Sequence, residues 1–116
     1  MIYIFSAFYA EAKNIIDHYG LKKEKSPEMV RFDVFANDSI RLVITGVGEI
    51  NAAAAVSNIG GAYGISPDDE ILNVGCGAGF SSDICLGSIF LGNKLTEQMT
   101  GRTFYPDMLM KANFRE

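Results

Sequence analysis

The chain contains little cysteine, little histidine and no long basic or apolar run, and each shortage narrows its possible functions. Its two cysteines, Cys76 and Cys85, form neither a CxxC pair nor a disulfide framework, which indicates a reducing compartment. The longest basic run is Lys22-Lys23 and the net charge is −4, which argues against nucleic acid or an anionic membrane surface as the main partner. No apolar run approaches membrane-spanning length, and residues 1–8 lack the basic start of a signal peptide, so we expect a cytoplasmic protein.

The remaining composition is that of a globular domain. The 116 residues are 48% hydrophobic and 21% charged, which allows a substantial core and excludes a disordered chain. We therefore expect residues 1–116 to form a single α/β domain. No pattern in them predicts a cofactor or a metal site.

The beginning of the chain predicts a strand followed by a helix. An apolar, β-rich run over residues 2–8 predicts the strand, and helical spacing over residues 9–19 predicts a helix that Gly20 ends. The helix face that we expect to be buried consists of Phe8, Ala12, Ile15, Ile16 and Tyr19.

The next segment predicts a hairpin and a second helix. A polar surface connection over residues 22–28 leads to two β-rich runs, residues 29–36 and 39–45, and the Asn-Asp pair between them is a hairpin signal. Residues 49–63 then contain four consecutive alanines, which would let a helix pack closely against a sheet.

The clearest β signal lies over residues 71–74, which predict a strand buried on both faces inside a parallel sheet. It stops at a turn with three glycines, residues 75–79. A further strand is predicted over residues 86–91. Beyond that strand the sequence shows neither helical nor strand spacing, and the only further prediction is one or two helical turns at residues 107–114.

Three of the predicted strands end in turns that can share one sheet edge, at residues 7–11, 45–48 and 75–79. Open α/β sheets bind their ligands at such an edge. Neither glycine turn completes a dinucleotide fingerprint, because Asn51 and Phe80 occupy the third small position. Together the two glycine turns favour a phosphate- or sugar-sized ligand.

Glu11 is the strongest candidate for a catalytic residue at this edge. A carboxylate in the first turn of a helix is usually only a favourable dipole contact, but beside two glycine turns it could accept a proton from water. We interpret Cys76 as a packing residue, because the only histidine, His18, lies far along the polar side of the helix and is expected to be solvated. The Phe104-Tyr105 pair could stack on a planar ring or anchor an interface.

Four segments follow one another in a distinctive order: strand-Ala7-aromatic-x-x-Glu11-helix, Thr45-Gly-Val-Gly48 before an alanine-rich helix, Asn73-Val-Gly-Cys-Gly-Ala-Gly79, and Leu86-Gly-Ser-Ile89. This order resembles the purine nucleoside phosphorylase and nucleosidase superfamily. It is closest to the 5′-methylthioadenosine/S-adenosylhomocysteine nucleosidases and runs from Met1 to about Asp107. The resemblance implies a three-layer α-β-α fold with a mixed, mostly parallel sheet.

The resemblance also implies roles for particular residues. Glu11 matches the nucleosidase glutamate that activates the hydrolytic water, and Asn73 stands where many phosphorylases carry a phosphate-binding arginine. Cys76 replaces the usual serine or threonine, and Ala78 replaces a common glycine. The implied ligand is a purine nucleoside of the methylthioadenosine or S-adenosylhomocysteine type. The positions that would contact it are Ala7, Phe8, Gly46, Val47, Gly48, Cys76, Gly77 and Ala78.

The resemblance covers only the first half of the family's domain. The second half supplies a Met-Glu pair that grips the ribose and an aspartate that protonates the purine, so we expect a truncated enzyme, a fragment or one piece of a split enzyme, with weak or no turnover alone. Half a sheet would expose edges and apolar faces, which predicts a homodimer. Two alternatives stay open, namely a non-catalytic purine- or nucleoside-binding or interaction module, and a phosphate-dependent phosphorylase with Arg102 as its anion-binding candidate.

Overall fold

The computed structural model describes residues 1–106 and divides the chain into two compact units, residues 1–78 and residues 79 onward. The first unit is an α/β domain with a mixed five-stranded sheet and two helices. Its elements are β1 (Ile2–Ser6), α1 (Tyr9–Tyr19), β2 (Lys22–Lys23), β3 (Asp33–Ala36), β4 (Ile40–Ile44), α2 (Glu49–Tyr63) and β5 (Glu70–Asn73).

The sheet of the first unit has the strand order β2-β3-β4-β1-β5. β1 pairs in parallel with β4 on one side and β5 on the other, so that Tyr3 lies between Arg41 and Ile71. β3 is antiparallel to both β2 and β4. The predicted hairpin around residues 37–38 is therefore confirmed, and the parallel part of the mixed sheet consists of β4, β1 and β5.

Alternating residues of β1 enter two separate hydrophobic cores, because successive side chains of a strand face opposite sides of the sheet. Tyr3 and Phe5 pack with Ala55 and Ile59 of α2. Ile4 packs with α1 residues, together with Leu42 of β4. The remaining buried members of the two cores are Val34 and Val43 in the first, and Ala12, Ile16, Leu21 and Ile40 in the second.

α1 has the predicted bounds, and Gly20 ends it in a left-handed conformation with φ of 62°. The Gly20 N–H bonds the Asp17 carbonyl, which supplies a partner for the last turn. The predicted buried face is correct for Ala12, Ile15 and Ile16. It is wrong for Phe8 and Tyr19, which lie at the two ends of the helix and are 51% and 52% exposed.

α2 also has the predicted bounds and ends at Gly64, whose φ is 66°. A side chain near its middle fixes the segment that leads into β3. The Asn58 amide donates to the Met29 carbonyl at 2.9 Å and accepts from the Arg31 N–H at 3.0 Å. This double contact pairs the Met29 carbonyl and the Arg31 N–H with a side chain of α2 and not with a neighbouring strand. Within the run at residues 29–36 the strand begins only at Asp33, so it is shorter than predicted.

The structure corrects the prediction that residues 71–74 form a strand buried on both faces. β5 is the last strand of the sheet, Ile71 is 52% exposed, and Leu72 and Val74 are only partly buried. The connection at residues 22–28 is also not wholly a loop, because β2 adds a two-residue strand beside β3. An apolar run of this length does not reveal whether a second strand flanks it.

The second unit contains a small antiparallel hairpin of β6 (Leu95–Thr96) and β7 (Thr103–Phe104). Its loop is closed by the Thr100 hydroxyl, which donates to the Glu97 carboxylate at 2.7 Å. The strand predicted at residues 86–91 is absent from this described region, where no other segment pairs with it and Leu86 is fully exposed. The helical turns predicted at residues 107–114 lie outside the described residues. Within residues 1–106, no helix has the length and apolar character needed to cross a membrane.

Candidate functional site

Three turns of the first unit meet at the carboxyl ends of β1, β4 and β5. We call these turns, residues 7–8, 45–48 and 74–78, the turn edge. Parallel pairing places them side by side, and backbone hydrogen bonds join them beyond the strands. The Gly46 N–H donates to the Ala7 carbonyl at 3.1 Å, and the Val74 N–H donates to the Phe5 carbonyl at 3.0 Å. The predicted convergence of the three turns is therefore observed.

Glu11 reaches the turn edge from the first turn of α1. Its Oε2 atom accepts a hydrogen bond from the Cys76 backbone N–H at 2.8 Å. The side chain is half-buried, whereas Cys76 is exposed. Among the described residues, Oε1 of Glu11 makes no hydrogen bond. One carboxylate oxygen is thus held by the backbone, and the other keeps its lone pairs for a ligand or water.

Gly75 provides the room for this contact. A Cβ atom at Gly75 would stand 3.1 Å from Oε2 of Glu11, closer than an ordinary carbon–oxygen contact of about 3.3–3.6 Å. Its φ lies outside the left-handed region, so space and not backbone conformation explains the glycine. Gly77, two residues on, has open space around its Cα.

The turn between β4 and α2 is closed by its own side chains. Gly46 and Gly48 have φ values of 83° and 93°, which L-residues rarely adopt. The Asn51 amide donates to the Val47 carbonyl at 2.8 Å, and the Thr45 hydroxyl donates to the Gly46 carbonyl at 2.8 Å. Asn51, which interrupts the dinucleotide fingerprint, therefore stabilises this turn. The sequence analysis did not predict this hydrogen bond, although an asparagine just inside a helix start is a known turn signal.

The other predicted contact residues fall into two groups. Ala7, Phe8, Val47, Gly77 and Ala78 lie on the turn edge with Gly46, Gly48 and Cys76. Phe8 and Val47 are 51% and 60% exposed, which leaves apolar surface on two adjacent turns. Arg102, Phe104 and Tyr105 belong to the second unit and are exposed there.

A polar network that the sequence did not predict surrounds Arg41 of β4. Its guanidinium lies 3.9 Å from the ring centre of Tyr63 and donates to the Tyr3 hydroxyl at 3.2 Å and to Glu24 at 3.4 Å. Burial alone would lower the pKa of Arg41, but the bonds to Tyr3 and Glu24 outweigh it and raise the pKa. Since Arg41 pairs with Tyr3 near the amino end of the strands, this network supports the fold at a distance from the turn edge.

Comparison with known proteins supplies no relative. No protein family, curated protein or solved structure matches this chain. Within residues 1–106, no group of three or more histidine, cysteine, aspartate or glutamate side chains is placed to hold a metal ion. The chemistry of the turn edge therefore has to be argued from its own residues.

The turn edge combines a fixed carboxylate with adjacent apolar surface. Glu11 and Glu49 lie in the first turns of α1 and α2, where the helix dipole favours negative charge. Of the two, only Glu11 is bonded to another turn of the edge. A carboxylate in this setting can orient a water molecule and take up its proton.

Proposed function

We propose that the turn edge binds a purine nucleoside of the methylthioadenosine or S-adenosylhomocysteine type and that the chain belongs to an N-ribosyl hydrolase. The observation that carries this proposal is the Glu11 carboxylate, which the Cys76 N–H holds at 2.8 Å where three parallel strands end. The order of motifs that resembles the nucleosidases supports the same assignment, because it matches Glu11 to their water-activating glutamate.

The proposed reaction is hydrolysis of the N-glycosidic bond. Water attacks the anomeric carbon of the ribose and forms the new C–O bond, while the C–N bond breaks and its electron pair stays on the purine. Glu11 accepts the proton that the water loses, and the purine takes a proton from solvent. General acid catalysis would contribute roughly 10²–10⁴-fold, and residues 7–8, 45–48 and 74–78 contain no carboxyl group or histidine that could act as the acid, so we expect slow turnover.

The fold associated with this function is a three-layer, nucleoside phosphorylase-like arrangement, and we propose it for the first unit. Two hydrophobic cores support it, one containing Ala55 and Ile59 of α2 and the other Ala12 and Ile16 of α1. Since alternate residues of β1 enter these cores, the two helices would cover opposite faces of the sheet.

Phe8 and Val47 are the proposed contacts for the purine. They belong to turns that the Gly46 N–H and the Ala7 carbonyl join, and both side chains expose apolar surface. An aromatic ring and a branched aliphatic group favour a flat, weakly polar base. Glu11 would then lie on the ribose side of the ligand.

The decisive experiment measures adenine release from methylthioadenosine and from adenosine by chromatography, with and without phosphate. We expect slow release that does not depend on phosphate. Glu11→Gln keeps an oxygen that can accept the Cys76 N–H but cannot take a proton, so we expect release to fall by about 10²-fold or more. Glu49→Gln, in the first turn of α2, is the matched control.

Other outcomes would point to the alternatives. Release that requires phosphate would identify a phosphorylase. Saturable adenine binding without release would identify a nucleoside-binding module, and absence of both binding and release would leave an interaction module. Equal release by the wild type and Glu11→Gln would exclude Glu11 as the base.

A further inference from the structure

We propose that the Gly75–Cys76 peptide is a positioning element that aims the Glu11 carboxylate at the ligand. This inference rests on the proposed function for the role of Glu11, while the contact itself can be measured independently. The Cys76 N–H fixes Oε2 at 2.8 Å, and in the described residues Oε1 makes no hydrogen bond. The peptide therefore sets which oxygen faces the water and in which direction.

Both partners of this contact are anchored. Glu11 precedes Ala12, which is completely buried in the core between α1 and the sheet. On the other side, the Val74 N–H donates to the Phe5 carbonyl and extends the pairing of β5 with β1 to the start of the turn. The backbone on each side of the contact is thus tied to the core or the sheet, and the hydrogen bond from the Cys76 N–H orients the carboxylate between them.

Gly75 is the part of this element where an added side chain would meet the carboxylate. Its Cβ would lie 3.1 Å from the same Oε2 atom that the Cys76 N–H binds, so the carboxylate would have to shift by a few tenths of an ångström. A displacement of about 1 Å at a reacting group can cost about 10²-fold in rate, so this smaller shift should affect catalysis more than folding.

The first test compares Gly75→Ala with Gly61→Ala. Gly61 lies in α2, has open space around its Cα and has no positive φ, so it controls for the same substitution without the contact. We expect Gly75→Ala to lower kcat for adenine release by up to about 10-fold with little change in KM. Gly61→Ala should retain both values. An unchanged kcat in Gly75→Ala would overturn the proposal.

The second test does not depend on activity. In the wild type, the Cys76 amide proton should exchange slowly with solvent, because its N–H donates to Oε2 of Glu11. This protection should be lost in Glu11→Ala, which has no acceptor, and in Gly75→Ala, which loses the contact, while Gly61→Ala should retain it. If the wild type released no adenine, this measurement would still decide the positioning role.

A third variant covers the case in which Gly75→Ala fails to fold, as judged by circular dichroism. Glu11→Asp keeps the negative charge but is one methylene shorter, so it should lose the slow exchange of the Cys76 amide proton and most of the activity. A Cys76 amide proton that exchanges as slowly in Glu11→Asp as in the wild type would contradict the proposal.

Discussion

Glu11 and Cys76 lie 65 residues apart in the sequence and are joined by a hydrogen bond of 2.8 Å. The bond connects the first turn of α1 to the turn after the edge strand β5. It uses a backbone N–H of the glycine turn that could otherwise bind an anion, and it presents a carboxylate at the turn edge instead. This N–H is therefore already occupied by a carboxylate of the chain itself.

Gly46→Ala should destabilise the first unit. The φ of 83° places Gly46 in the left-handed region, which costs an L-residue about 1–2 kcal/mol. The added Cβ would also stand 3.2 Å from Nδ2 of Asn51, the atom that closes the turn on Val47. Thermal unfolding should show a lower Tm for Gly46→Ala. Gly61→Ala, within α2, should keep or raise the Tm, and equal Tm values for the two variants would contradict this interpretation.

Tyr63→Phe should weaken the Arg41 network while leaving its stacking intact. The Tyr63 hydroxyl donates to Oε2 of Glu24 at 2.8 Å, and burial is the main reason that the pKa of this hydroxyl is raised. Loss of one such bond should lower the free energy of unfolding by about 0.5–1.5 kcal/mol in urea denaturation. Tyr19→Phe is the control, because Tyr19 is 52% exposed. If Tyr63→Phe and Tyr19→Phe had the same free energy of unfolding, the Arg41 network would not contribute to stability.

Asp69 should make stability depend on pH in the acid range. The pKa of Asp69 is lowered, first by the Ser66 N–H at 2.9 Å and then by the Met1 amino group at 3.2 Å. A carboxylate with a lowered folded-state pKa contributes stability above its unfolded-state pKa, and this contribution is lost as the pH falls through the folded value.

Asp69→Asn should therefore be less stable than the wild type at about pH 7, and the difference should shrink below about pH 4. Chemical denaturation at several pH values would measure this. The neighbouring Asp68→Asn is the control, because Asp68 makes no ion pair within the described part of the chain. If the difference in stability between the wild type and Asp69→Asn stayed constant with pH, it would contradict the lowered pKa of Asp69.

We also expect self-association through the open side of β5. This strand ends the sheet, and Ile71 leaves about half of its surface in solvent, a combination that favours pairing with another chain. Ile71→Lys should raise the dissociation constant of the dimer in light scattering. Met29→Lys replaces a similarly exposed apolar side chain before β3 and should have little effect. A wild-type monomer at micromolar concentration would refute the expectation.

Local patterns were sufficient to predict both helices and the hairpin. The bounds of α1 follow from apolar spacing and from Gly20, which adopts the left-handed conformation that ends a helix. Those of α2 follow from the alanine-rich run over residues 49–63, and the structure adds Gly64 as its left-handed end. The hairpin follows from the polar pair between β3 and β4. These signals are local, because each depends on residues within a few positions of one another.

The position of a strand within the sheet could not be predicted in the same way. The apolar run of β5 suggested a central strand, yet among residues 1–106 it pairs with β1 alone. The run at residues 86–91 had the composition of a strand, but it has no partner in the described structure. Strand pairing depends on a second segment, and a single run does not contain that information.

For this protein, the sequence by itself determined both helices, the order of β1, β3, β4 and β5 along the chain, and the residue types at the turn edge. Only the tertiary structure decided that β1 lies between β4 and β5, and that Glu11 therefore meets the Cys76 N–H. It also brought together Arg41, Tyr3, Tyr63 and Glu24, which no local pattern connects. The physical reason is that such contacts form between residues distant in sequence, once sheet pairing and core packing have placed their backbones.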